Sequence, residues 1–518
     1  MTKQRLQKLM HKAERGQAVI LIAFAIIGLV AMVGLVTDTG ILLIEYGKLK
    51  RGVDAAAVAA AQQYRLRGNV LDQAALENAA KNFLQLNQST DILEDSVIVH
   101  SCESPEADRP VLCNPDPDGH PNDNRKLVEV IATKNVYFGF LRVIGINSTT
   151  VTANAVGEAA TIDLVLVIDT SAAMAFETDT DPSKNDLRSD SSLEDPSVCN
   201  YSVDHPCQPL RAVKDVALDF IDTLYFPYDR VSIIALTSQN PNGNRNPIEV
   251  LPLTSDRDDI VAHIDDLRVF EPINCDDGSY EEGTCLKYVD GNFTAAICGN
   301  YELNPTTADP SPCPSSNVGG ALKLARSAFI DPTDPDFARL DAFWVVVNLL
   351  GGPANATNPD DEGDYPNGFC PPYTFYWDGP WCRDKRPSVR HSDTDPLVSY
   401  TYNGVTSDIS YYDADDYARD MADDLATLIS GEGVTIFTIG LGAPVRSTTT
   451  VEAGEEPAAE ALLKYIAECA GEGSPNDCAT TVPAPAINHG QYFYAPNSDA
   501  LTDIFDRIAK NIATKISQ

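Results

Sequence analysis

The sequence predicts an α/β protein: an N-terminal transmembrane helix, a helical and β-stranded stalk, then a doubly wound parallel-sheet domain with long insertions. Two observations predict it. Ala18 to Val36 is a run of nineteen residues without a charge. Beyond residue 160, apolar runs at Leu164–Ile168, Val231–Leu236, Phe343–Leu349 and Val434–Ile439 alternate with stretches whose apolar residues recur at helical spacing. Continuous apolar runs suit strands buried on both faces, and their alternation with amphipathic helices is the pattern of a parallel sheet.

The chain has 518 residues and a formal net charge of −37. That length allows several domains with a sizeable core. So large an acidic excess argues against nucleic acid as a partner.

Residues 1–16 form a basic head, with Lys3, Arg5, Lys8, Lys12 and Arg15 against Glu14. As a helix, the uncharged run after it is about 28 Å long, close to the thickness of a bilayer core. The span is read as 17–44. A secretory signal peptide is the alternative, but its apolar region is usually only ~7–15 residues. The positive-inside rule then places the N-terminus in the cytoplasm and the bulk of the chain outside, at the plasma membrane. Asp38 and Glu45 read as interfacial residues at the outer face.

Residues 45–159 read as the stalk. The Ala-rich stretch Val53–Gln63 continues the helix, Gly68 and Asn69 mark a break, and Ala74–Leu86 forms a second helix. Ser96–His100, Leu127–Thr133 and Thr149–Val156 alternate apolar and polar residues like half-buried strands.

The domain at 160–518 carries helix signals at Leu210–Leu224, Ile260–Leu267, Leu322–Phe329, Met421–Leu428 and Leu501–Ile512. Insertions at 175–209, 270–316 and 354–412 are rich in Asp, Pro, Asn, Gly and aromatic residues. Two of the three are expected at the carboxyl edge of the sheet, where ligands bind in such folds. Asp169 and Ser171 stand at that edge, straight after the first strand, and offer hard oxygen ligands to a divalent cation.

The twelve cysteines fall as sequence neighbours: Cys102/Cys113, Cys199/Cys207, Cys275/Cys285, Cys298/Cys313, Cys370/Cys382 and Cys469/Cys478. With no C-x-x-C and only seven histidines, six local disulfides in an oxidising compartment are expected rather than zinc sites. The connectivity itself stays open at this stage.

Two resemblances add to this reading. The segment from Glu14 to Ala61, with Arg15–Gly16 before the hydrophobic helix and Asp54–Ala57 in the Ala-rich stretch, resembles TadE/TadG-like proteins of bacterial Tad (Flp) pilus assembly. The stretch TIDLVLVIDTSAAM at Thr161–Met174, with the chain after it, resembles a von Willebrand factor A (VWA) domain, a Rossmann-like fold. That family carries a metal-ion-dependent adhesion site built from D-x-S-x-S, a later Thr and an Asp after the fourth strand. The matching positions here are Asp169, Ser171, Ala173, Ser316 and Leu350. Ala173 and Leu350 replace ligands. The resemblance therefore implies a degenerate site with at most a weakly bound Mg²⁺ or Ca²⁺, and no other cofactor is expected.

Acidic turns at Asn114–Gly119 and Asn358–Gly363 match only the first half of an EF-hand loop. No nucleophile elbow, P-loop, H-E-x-x-H or dinucleotide fingerprint occurs, so no catalytic residue is assigned and no enzyme activity is expected. The expected partners are the membrane, through the N-terminal helix, and proteins: pilus or envelope components, or a surface ligand. The alternative is a structural envelope protein whose head self-associates.

Overall fold

A computed structural model describes residues 3–64, 71–87, 96–113, 125–175, 196–237, 247–270, 287–289, 292–294, 316–330, 338–340, 342–354, 356–358, 386–402, 405–409, 411–428, 433–448, 451–471 and 489–516. The chain divides into two compact units, Met1–Ala159 and Ala160–Gln518.

The first unit is built on one long helix, α1 (Lys3–Ala61), joined by α2 (Gln73–Asn87). Within α1, Val19–Ala61 is long and apolar enough to cross a membrane. A three-stranded antiparallel sheet follows, ordered β1 (Ile98–Ser101), β2 (Lys126–Tyr137) and β3 (Ser148–Ala159). The β2–β3 ladder runs without a register break from Lys126↔Ala159 to Tyr137↔Ser148. Leu49, Val53, Ala56, Ala57 and Ala60 are buried on the C-terminal half of α1. The helix and β3 approach closely because both are small there: a Cβ on Gly157 would stand 2.4 Å from the Ala57 carbonyl oxygen. The Cys102–Cys113 bridge forms as expected.

Asp38 and Glu45, read from the sequence as interfacial residues, both have partners within this unit. Asp38 is fully buried and accepts backbone N–H bonds from Gly139, Phe140 and Leu141, at 2.8 Å from Gly139. Glu45 pairs with the buried Lys134 at 2.6 Å. Buried charges persist where they are paired and hydrogen-bonded.

The second unit is a six-stranded sheet with helices on both faces. Its strands are β4 (Ile162–Ile168), β5 (Arg230–Ala235), β6 (Ile248–Thr254), β9 (Phe343–Leu350), β12 (Thr435–Leu441) and β13 (Tyr492–Ala495). Two short hairpins, β7 (Lys287–Val289) with β8 (Asn292–Thr294) and β10 (Val398–Tyr402) with β11 (Val405–Ile409), lie inside insertions. The helices are α3 (Pro196–Cys199), α4 (Leu210–Ile221), α5 (Arg257–Asp265), α6 (Val318–Phe329), α7 (Ala414–Ala426), α8 (Ala458–Glu468) and α9 (Leu501–Ile516).

The sheet order is β13-β12-β9-β4-β5-β6. Five strands are parallel, whereas β6 runs antiparallel to β5 at the edge. The expectation of a wholly parallel sheet is corrected there. Pro252 lies inside β6 and interrupts its apolar pattern; proline lacks the N–H for an inner ladder but is tolerated on an edge strand. Alternate residues of the central strands fill two cores. Leu164, Leu166 and Ile168 pack with α4, α5 and α9, while Val165 and Val167 pack with α6, α7 and α8. Asp256, Asn317 and Asp413 cap α5, α6 and α7 by accepting N–H bonds from the first turn.

The Cys199–Cys207 bridge is present, and Cys469 is disulfide-bonded. The other cysteines lie outside the described residues: the expected pairs Cys275–Cys285, Cys298–Cys313 and Cys370–Cys382, and Cys478, the expected partner of Cys469. The acidic turn at 114–119 and residues 359–363 of the second acidic turn lie outside them too.

At the amino edge of the sheet, buried Asp163 holds two arginines. Arg230 makes a fork at 2.9 and 2.7 Å, and Arg339 pairs with the same carboxylate. Replacing Asp163 by Asn removes the buried carboxylate that both guanidinium groups share, and a cost of about 3 kcal/mol is expected in urea denaturation. A loss below about 1 kcal/mol, the size of an exposed pair, contradicts this.

Candidate functional site

From β4 the chain moves outward through β5 to β6, and from β9 it moves the other way through β12 to β13. Between β4 and β9 the winding therefore reverses. Ligands in open α/β sheets bind at that switch point, beyond the carboxyl ends of the strands. Asp169 follows the last residue of β4, and Gly351 follows the last residue of β9.

Asp169 is completely buried. Its amide donates to the Leu349 carbonyl at 3.1 Å, extending the ladder. One carboxylate oxygen accepts from the Ser171 N–H at 2.8 Å, and the other from the Gly351 N–H at 2.7 Å. The crossing is tight: a Cβ on Gly351 would lie 3.3 Å from Asp169 Oδ2 and 3.4 Å from the Ala173 Cβ. Burial pushes the Asp169 carboxyl above the usual carboxylate range, outweighing the hydrogen bonds from Gly351 and Ser171.

Neighbouring residues lock the same edge. The Thr170 and Thr237 hydroxyls lie 2.9 Å apart, and the Thr237 N–H donates to Thr170 Oγ1 at 3.1 Å. The Phe270 N–H donates to the Thr170 carbonyl at 2.7 Å. Asn200 donates to the Val269 carbonyl at 2.8 Å and accepts its N–H at 2.9 Å. Asn317 caps α6 through the Gly320 N–H at 2.8 Å while its amide donates to Asn358 at 2.8 Å.

All three insertions therefore begin at this edge, rather than the two expected. The first leaves after the turn Ala172–Ala175, the second at Phe270 beside Thr170, and the third just past Gly351. The third returns through Arg390, which pairs with Asp420 and Asp423 on α7, and through His391, whose N–H donates to Asp416 at 3.0 Å.

The sequence-predicted residues meet in part. Asp169 and Ser171 are hydrogen-bonded to each other, and Ala173 faces Gly351. Ser316 is buried just before the α6 cap, and α6 runs back toward the start of β9, so Ser316 belongs to the same edge by topology. Leu350 is wholly buried in the apolar cluster beneath α6, α7 and α8. Among the described residues, the positions matched to the adhesion site supply fewer oxygens than the near-octahedral set that Mg²⁺ demands. They offer one carboxylate, with both oxygens already accepting N–H bonds, and two hydroxyls. Among the described residues no group of three His, Cys, Asp or Glu side chains could hold a metal. The Thr170–Thr237 and Asn317–Asn358 pairs were not legible in the sequence, because each joins segments 67 or 41 residues apart.

The sequence matches no protein-family model, and no curated protein matches it. Solved structures similar in part include the PilB minor pilin from Streptococcus sanguinis. It is 12% identical, covering 81% of this chain and 78% of that one at a TM-score of 0.32. The vWF domain of the type V pili tip protein Mfa5 from Porphyromonas gingivalis is 13% identical, covering 70% of this chain and 97% of that one, TM-score 0.33. The pilus adhesin SpaC from Lactobacillus rhamnosus GG is 11% identical, covering 81% of this chain and 34% of that one, TM-score 0.33. At such TM-scores the likeness carries no residue role or activity to this chain.

Asp169 sets a pH test. Its folded pKa is raised, so the native state binds more protons than the unfolded chain, and stability falls as pH rises from the unfolded value of about 3.9. Asp416, pushed up by burial beside Asp413 and Asp415, adds a slope of the same sign. Denaturation of the wild type and Asp169→Asn across mildly acidic pH isolates the first group. The wild type is expected to lose stability relative to the variant as pH rises; parallel curves contradict the assignment.

Proposed function

We propose that this protein is a membrane-anchored, extracytoplasmic protein-interaction or adhesion module with a VWA-like head, serving as a component or accessory of a Tad (Flp) type pilus system. One observation carries the interaction reading: three long insertions leave the sheet from a single edge, at the switch point fixed by Asp169. Long loops on a rigid scaffold are where recognition concentrates. The pilus assignment draws its support from the TadE/TadG-like segment around Arg15–Gly16 and Asp54–Ala57. The anchor is α1, with its basic end on the cytoplasmic side, and disulfides such as Cys199–Cys207 suit an oxidising exterior.

Recognition at this edge runs through the loops rather than through a bound cation. Asp169 serves as the clasp that holds the loop bases in place.

Two measurements test the proposal. Cross-linking of the full chain in its own cells should capture a pilus or envelope component, and deletion should reduce assembled pili; capture of nothing but further copies, with pili intact, contradicts the function. Calorimetry of the detergent-solubilised chain with Mg²⁺, Mn²⁺ or Ca²⁺ should give no saturable heat. Saturable binding abolished by Asp169→Asn would reinstate a metal-dependent mechanism.

A further inference from the structure

The contacts along α1 fall in a single order. Gly157 on β3 meets Ala57, the Asn154 carbonyl accepts from Lys50, and Lys134 on β2 pairs with Glu45. The turn joining β2 to β3 reaches Asp38 through the N–H groups of Gly139, Phe140 and Leu141, and Phe140 lies against Gly34. The β2–β3 hairpin thus runs alongside α1 with its tip toward the apolar run. There it is clamped by a buried carboxylate.

That tip is apolar and exposed. Val143 is 86% exposed, Ile144 72%, Tyr137 60%, Ile146 48% and Phe140 47%. Monomeric soluble surfaces rarely leave such residues clustered. A rise of 1.5 Å per residue makes the stretch from Gly16 to Thr37, between Arg15 and Asp38, about 33 Å long. A hydrocarbon core of about 30 Å needs nearly all of it. Of the helix positions the tip touches, Gly34 lies about 5 Å inside the end of that stretch and Asp38 immediately beyond it. If α1 spans, the tip cannot stand clear of the membrane surface. Arg142, exposed between Leu141 and Val143, adds a cation suited to anionic headgroups.

We propose that the tip of the β2–β3 hairpin, residues 137–146, is a second membrane-contacting element, seated in the outer interface beside the anchor with Val143 and Ile144 inserted among lipids. The occupant of this apolar patch is the bilayer itself, because the patch is continuous with the exposed apolar surface of α1. Clamping by Asp38 makes helix and hairpin enter the interface as one rigid body and fixes the rotation of the anchor. This inference rests on the proposed membrane anchor.

The test uses the full chain reconstituted into vesicles of phosphatidylethanolamine and phosphatidylglycerol containing a spin-labelled quencher lipid. A fluorescent amino acid is placed singly at Val30 in the apolar run, at Ile144, and at Val156, which α1 places about 35 Å further along the helix. Strong quenching at 30, at least half that quenching at 144 and none at 156 is the expected result. Quenching at 30 with 144 no different from 156 overturns the proposal and leaves the anchor standing. Absence of quenching at 30 overturns the anchor, and the proposal with it. Replacing Val143 and Ile144 together by Ser, with the label at Tyr137, should lower quenching there by several-fold; unchanged quenching counts against insertion of the tip.

Discussion

The head depends on one buried carboxylate. Asp169 bonds backbone N–H groups on both sides of itself: Ser171 on its own chain segment, and Gly351 on the segment leaving the neighbouring strand. Two parallel strands that diverge at their ends need a local bridge at the point of divergence. A carboxylate provides it with two charge-assisted bonds. Its burial is costly, as the raised pKa of Asp169 records. The arrangement ties together the bases of loops that have no regular sheet to hold them.

The same device recurs in the first unit. Asp38 accepts three successive backbone N–H groups at the hairpin turn, much as Asp169 accepts from its loops. In each unit an aspartate, Asp38 within α1 and Asp169 just past β4, grips the backbone of an irregular segment. At the amino edge of the sheet Asp163 instead grips side chains, Arg230 and Arg339. The apolar residues of the sheet and its helices fill the two cores on either side of it.

Legibility in the sequence followed the range of each interaction. The strands β4, β5, β9 and β12 read directly, because burial on both faces leaves largely apolar runs such as Leu164–Ile168 and Phe343–Leu349. β13 has four residues, too few for a period to show, and Pro252 disguised β6. The β10–β11 hairpin lay inside a stretch whose composition reads as loop. Asp169 was legible as the residue that stops an apolar run at a strand end. Its partner Gly351 was not, since the bond spans 182 residues, and Asp38 bonds a turn 101 residues or more away. Leu350 could be read as the loss of a ligand; that its side chain fills the core beneath α6 and α7 needed the third dimension.

The central claim is that the Asp169 edge of the sheet is the recognition face. The most direct measurement is site-specific photo-cross-linking of the full chain in its own cells, with the reactive residue at Val203 or at Leu340. Val203 is 94% exposed in the first insertion, close to the Asn200–Val269 clasp at the loop edge. Leu340 is exposed just before β9, at the opposite edge. The account predicts protein adducts from position 203 and none from position 340. Equal adducts from both, or adducts from 340 alone, would contradict it.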